Sequence, residues 1–190
     1  MTNEDAINRA EALYREGRYE DAFDAYQRLA ARSPDDGRLA AFVGALYYRG
    51  IGTDRNSDRA IEWYERAVDA GFWPAALDLA GVYTSQAKLR EARELLEKVG
   101  ALGFSPALYY LGRLYEVGRG VPADELKAYQ YLRDAAQRGH VFAQRQIAVR
   151  LIKGKEGVLH IPRGITLFVW AVARAIRLKF NDPENEQIRV

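Results

Sequence analysis

The sequence predicts an all-α protein, a right-handed α-solenoid of about five antiparallel helix pairs, and three observations predict it. The stretch Ser105–His140 falls on an earlier stretch when moved back by 68 positions: Gly112 lands on Gly44, Tyr115 on Tyr47, Gly118 on Gly50, Gly120 on Gly52, Ala128 on Ala60 and Gly139 on Gly71. A fixed offset that superposes small residues and aromatics marks an internal repeat. A further unit lies between the copies, with Tyr83 placed 36 residues after Tyr47 and 32 before Tyr115, so the period is about 34 residues. Within the units apolar residues recur at helical spacing, and Gly118 ends its run at the position where glycine favours a left-handed cap.

The best-formed unit shows how the residues make a helix pair. Ala107, Leu108, Leu111, Gly112, Leu114 and Tyr115 form one broad stripe on a first helix. Gly112 in mid-helix costs roughly 1 kcal/mol against Ala, which calls for a packing reason, and close approach of the next helix is the simplest. Gly118 ends the helix, Gly120-Val121-Pro122 makes the turn, and Asp124 is the expected N-cap of the second helix. Leu126, Ala128, Tyr129, Leu132, Ala135 and Ala136 continue at helical spacing until Gly139.

The residues Leu108, Leu111, Gly112, Tyr115, Gly118, Gly120, Val121, Lys127, Ala128, Tyr131, Ala135, Ala136, Gly139 and Ala143 together resemble the Sel1-like repeat, a variant of the tetratricopeptide repeat (TPR). The pattern is specific because it covers two helices and two loops and recurs. The resemblance implies a stacked helical array that works by binding other proteins. Cysteine-rich relatives in that family have been assigned hydrolase activity, but this chain has no cysteine.

In chain order, the expected pairs are 4–34, 38–71, 73–102, 105–139 and 141–179, in one helical-repeat domain over 1–180, followed by a polar tail at 181–190 that is expected to be disordered. The first pair is closer to the tetratricopeptide pattern, because the Gly-x-Gly loop is missing. Pro74 and Pro106 suit first helical turns, where no amide hydrogen is needed. The third pair departs from the family: Thr84-Ser85-Gln86-Ala87-Lys88 stands where Gly-x-Gly-Val is expected. The fifth has a long loop, Lys153–Gly164, and then an apolar helix from Ile165 to about Leu178.

Composition excludes several classes of function. Without cysteine there are no disulfides, thiolate metal sites or thiol nucleophiles. The N-terminal stretch has acids where a signal peptide would have bases and lacks an apolar core, so a cytoplasmic protein is expected, either free or peripheral at the inner face of a membrane. No nucleophile elbow, Walker loop or His-Glu-x-x-His occurs. Of the two histidines, His140 reads as a packing or capping residue and His160 has no companion at metal spacing. Neither an enzymatic activity nor a cofactor is expected, and nucleic acid is not an expected partner. The formal net charge is only +2, but residues 141–179 hold eight Lys or Arg against one acid, Glu156.

The expected site is the surface formed by the first helix of each pair. It would present Tyr14, Arg38, Ala45 and Tyr48, then Leu77, Gly81 and Thr84. Tyr109, Arg113 and Glu116 follow, then Phe142, Arg145 and Val149. Tyr and Arg are the residue types that dominate binding hot spots, so Tyr14, Arg38, Tyr48, Tyr109, Arg113, Glu116 and Arg145 are the expected contacts for a partner protein or peptide. The last helix is uncharged from Gly164 to Ala173. Ten residues of helix rise only about 15 Å, half a bilayer core. Its outer face, with Phe168, Trp170 or Val172, is expected to be covered by a second copy or a partner; otherwise it lies on a membrane surface.

Overall fold

The computed structural model describes residues 3–154 and 160–181, with side chains through Leu178. The described residues form ten helices and no strand: α1 (Asn3–Arg15), α2 (Tyr19–Arg32), α3 (Gly37–Arg49), α4 (Ser57–Asp69), α5 (Ala75–Ser85), α6 (Leu89–Ala101), α7 (Ser105–Val117), α8 (Glu125–Gln137), α9 (Val141–Ile152) and α10 (Ile161–Asn181). These are the five predicted pairs, and the all-α helical-repeat class is what the sequence predicts. The last helix is longer than expected at both ends. It starts at Ile161, with Pro162 in its first turn where no amide donor is needed, and it takes in Asn181. Residues 155–159 of the long fifth loop and the tail from 182 lie outside the described residues.

The chain divides into two compact units, Met1–Lys88 and Leu89–Val190. The division falls in the turn between α5 and α6, inside the third pair, where the sequence loses its Gly-x-Gly loop.

In the first unit, α1 to α5, the buried residues are those of the helical stripes: Ala10, Phe23, Tyr26, Leu29, Val43, Leu46, Trp63, Tyr64, Leu79 and Val82. Phe23 meets Tyr47 edge-on at 5.0 Å, and the Tyr47 hydroxyl accepts a hydrogen bond from Gln27 Nε2 at 2.9 Å. The Tyr83 hydroxyl donates to Glu65 at 2.7 Å. In the second unit, α6 to α10, the core holds Leu96, Val99, Leu108, Leu111, Tyr115, Leu132, Ile147, Ala148, Leu151 and Ala171. Tyr115 stacks on Tyr131 with ring centroids 5.6 Å apart. The repeated tyrosines therefore tie helices together within each unit.

The repeated glycines have two separate jobs. Gly50 and Gly118 stand at φ 70° and 75° and cap α3 and α7 in the left-handed conformation. Gly52 and Gly120, also at positive φ, are places of close approach. A Cβ on Gly52 would run into the Tyr19 backbone carbonyl at the start of α2, and one on Gly120 would lie 2.6 Å from Leu89 Cβ at the start of α6. The Gly-x-Gly motif thus ends one helix and seats its loop on the second helix of the preceding pair. Mid-helix Gly44 and Gly112 face the second helix of their own pair. Added Cβ atoms there would come within 3.1 Å of the Tyr64 ring and 2.7 Å of Leu132 Cγ.

N-caps follow the sequence. The Asp36 side chain accepts from Arg38 N and Leu39 N, Asn56 from Arg59 N, and Asp124, as predicted, from Lys127 N at 2.9 Å.

Candidate partner-binding site

The second unit holds a concave cavity of about 850 Å³. Glu116 comes from α7; Tyr129 and Leu132 come from α8; Arg145, Gln146, Ile147, Val149 and Arg150 come from α9, with Lys153 at its C-terminal cap; and Phe168 comes from α10. The helical periodicity of α9 explains the run. Arg145, Val149 and Lys153 are four apart and share a face, as do Gln146 and Arg150. The opposite face, with Ala143, Ala148 and Leu151, is buried.

The floor is apolar and the walls are charged. Arg150 pairs with Glu125 at 2.9 Å and lies over the Tyr129 ring, 4.6 Å from its centroid. Glu116 is held by Arg113 at 2.6 Å. Both lining carboxylates thus already face a guanidinium, whereas Arg145 rests on the Phe142 ring at 5.5 Å and Lys153 is exposed. The lining therefore carries an excess of positive charge. The Gln146 side chain adds a carbonyl oxygen, Oε1, that is shielded from solvent and has no hydrogen-bond partner among the described residues.

Four sequence-predicted residues converge here: Glu116, Arg145, Val149 and Phe168. Phe168 was expected on the outer face of the last helix, but it is half-buried and turned into the cavity. Arg113 is exposed beside the site, holding Glu116. Tyr109 is 8% exposed and stacks on His140 at 4.5 Å, so it belongs to the packing between α7 and α9 and not to a contact surface. Burial is the main cause that raises its hydroxyl above the ordinary tyrosine value. Trp170 and Val172 are exposed on α10. In the first unit, Tyr14 is half-buried with its ring edge-on to Tyr19 and Phe42, at 5.3 and 5.7 Å, Tyr48 lies under Arg55, and Arg38 is exposed at the start of α3.

Sequence reasoning missed Tyr129 and Leu132 because it sought the site on first helices alone; on the first helix of the fifth pair it named Phe142, Arg145 and Val149 but not Gln146, Arg150 or, just beyond the helix, Lys153. The signal was present in the cluster of bases at 145, 150 and 153.

His140 is neither a ligand nor a catalyst in this arrangement. It is fully buried, and its Nδ1 accepts from Ala143 N at 3.3 Å, capping α9. The proton then sits on Nε2, which has no partner among the described residues. Burial lowers its pKa to about 4. His160 is exposed ahead of α10, and no group of three or more potential metal ligands occurs among the described residues.

The repeats seen in the glycine contacts and the aromatic pairs are recognised by family comparison: residues 38–72 and 105–140 match the Sel1 repeat model. The chain carries two Sel1 repeats. Proteins built of Sel1 repeats are generally protein-interaction scaffolds and typically not enzymes. Over 107 residues the chain is 33% identical to chitin synthase regulatory factor 1 of Schizosaccharomyces pombe, covering 53% of this chain and 24% of that protein. Over 121 residues it is 28% identical to chitin synthase regulatory factor 3 of the same yeast, covering 60% and 13%. The chain therefore spans a quarter or less of these relatives' length.

Among solved structures, a Sel1 repeat protein from Oxalobacter formigenes superposes with a TM-score of 0.68 at 22% identity, over 92% of this chain and 73% of the other. A protective antigen of uropathogenic Escherichia coli, described as displaying the SLR fold, gives 0.69 at 20% identity, over 92% and 38%. These similarities establish the Sel1-like repeat fold. Among the described residues, no helix is long and apolar enough to cross a membrane.

Proposed function

We propose that this Sel1-like repeat protein is a non-enzymatic adaptor that holds a partner protein or peptide in the cavity of its second unit. The observation that carries the reading is the make-up of that cavity: an apolar floor of Leu132, Ile147 and Phe168, cationic Arg145 and Lys153 at its walls, and the Gln146 carbonyl oxygen, which has no hydrogen-bond partner among the described residues. A polypeptide offers what such a lining takes, with apolar side chains for the floor, a backbone amide for the Gln146 oxygen and carboxylates for the bases. Catalytic chemistry has no support in the same place, since its two carboxylates are paired to arginines. The fission-yeast relatives bear the name of regulatory factors of an enzyme, and this reading gives the chain work of the same kind, control of another protein by holding it.

The test is site-specific photocross-linking in the cells that make the protein, with benzoylphenylalanine replacing exposed Lys153. A discrete adduct lost on adding Arg145→Glu is the expected result. An adduct indifferent to Arg145→Glu, or none, removes the cavity as the binding site.

A further inference from the structure

The cavity does not end at Phe168. Along α10, with about 100° per residue, Gly164 and Ala171 point to the buried side, and Phe168 lies at one edge of it. Next round the helix come Val172, Ile165, Ile176 and Val169, all exposed, with Val169 at 63%. These four residues are spaced four, three and four apart, the seam of a helix that packs along another helix. The stripe runs for about 16 Å along the axis and adjoins the cavity at Phe168. Its far edge passes over Ala173 and Thr166 to Arg177, all exposed. Its near edge leads into the cavity walls with Arg145 and Lys153. From Ile161 to Leu178 there is no acid.

We propose that this stripe and the adjoining cavity together form one groove for an amphipathic helix of a partner protein. That helix would set an apolar seam on Ile165, Val169, Val172 and Ile176 and carry acidic residues on its flanks. The inference rests on the reading that the second unit binds protein, and it names the kind of segment bound. The seam spacing selects a helix, because an apolar ridge repeating every three to four residues interdigitates with another such ridge. The charge selects an acidic one, since bases border both edges. A second copy of α10 fits poorly, because base would face base in either orientation. A bilayer fits poorly too, because a planar surface cannot fill the recess beside Phe168.

The experiment uses the full chain and two stapled, fluorescein-labelled model helices of about four turns. They share an Ile/Leu seam, and their flanks are all Glu in one and all Lys in the other. The Glu-flanked helix is expected to bind saturably by fluorescence anisotropy, at least about tenfold more tightly than the Lys-flanked helix, and more weakly at high salt. Val169→Asp and Arg177→Glu are each expected to weaken it several-fold while leaving the circular dichroism spectrum unchanged, because both side chains are exposed. Equal binding of the two helices, or none, overturns the proposal. So does binding that ignores Val169→Asp. A dimer by sedimentation that Val169→Asp dissociates would assign the stripe to a second copy. Flotation with phosphatidylserine vesicles that Val169→Asp abolishes would assign it to a membrane. If both peptides fail while the Lys153 cross-link persists, the helix proposal falls and the adaptor reading stands; loss of both removes both.

Discussion

Glycine at a mid-helix position has opposite consequences at two places in this chain. At Gly112 an added methyl would sit 2.7 Å from Leu132 Cγ, a branch carbon held in the core, with the Ala128 carbonyl oxygen at 3.2 Å. Gly112→Ala is therefore expected to cost about 1–3 kcal/mol through overpacking, despite the better helix propensity of alanine. Gly81 has nothing within 4 Å of the same point, so Gly81→Ala should stabilise by up to about 1 kcal/mol. Urea denaturation of both variants decides it: stabilisation by both would show that propensity alone governs the two positions. Ala87 is the converse case. It closes α5 at φ 58°, in the place where other helices use glycine, with its amide on Thr84 O at 3.2 Å and the Lys88 amide on Tyr83 O at 2.9 Å. A left-handed alanine costs roughly 1 kcal/mol, so Ala87→Gly should raise stability by about that amount. An unchanged denaturation midpoint would show that the turn bears no strain.

Among the elements, α9 depends on a titratable cap. His140 caps it through Nδ1 and is buried, stacked on Tyr109, with the Arg174 guanidinium beside neighbouring Gly139. The folded state holds the imidazole neutral, with a pKa of about 4 against 6.5 for the free group. The unfolded chain thus binds the proton more readily between those values. The stabilisation is complete above pH 6.5 and is lost as pH falls toward 4, by about 2 kcal/mol between pH 7 and pH 5. His140→Asn keeps a capping acceptor but does not titrate, so its stability should change less across that interval. Equal pH slopes for the parent and this variant would place the acid sensitivity elsewhere. At α10, the uncharged run was legible in the sequence as an apolar helix in want of cover. Which of its residues face out was not legible, because a helix apolar on nearly every side gives no amphipathic contrast. Contact with α9 decided it, with Gly164 set against Leu151 and Ile152 and Phe168 turned inward.

On the scale of the whole chain, each compact unit has its own set of fully buried side chains, Val43, Leu79 and Val82 in one and Val99, Leu111 and His140 in the other. Repeat arrays derive their stability from contacts between neighbouring helices rather than from distant ones. A fragment comprising Leu89–Val190 should accordingly be helical and melt cooperatively, though less stably than the full chain. A fragment without a thermal transition by circular dichroism would show that the second unit depends on the first.

Most of the fold was determined by the sequence itself, for a physical reason. Repeat proteins are built from local contacts, so helix boundaries, the Asp124 cap, the glycine caps and the Gly112 approach all follow from residues within one period of each other. The candidate site was legible only in part. Glu116 and Arg145 could be named from helix phase, but Tyr109 could not be told from a contact residue, because a buried and an exposed tyrosine on one helix face look alike until its neighbour is placed. Tyr109 is buried, stacked on His140 with the Phe142 ring 6.4 Å away. Tyr129, Arg150 and Phe168, which lie on three different helices, share one cavity only through packing. Tertiary structure decides such convergence, because the angle between packed helices is set by how their side-chain ridges interlock and by no single segment alone.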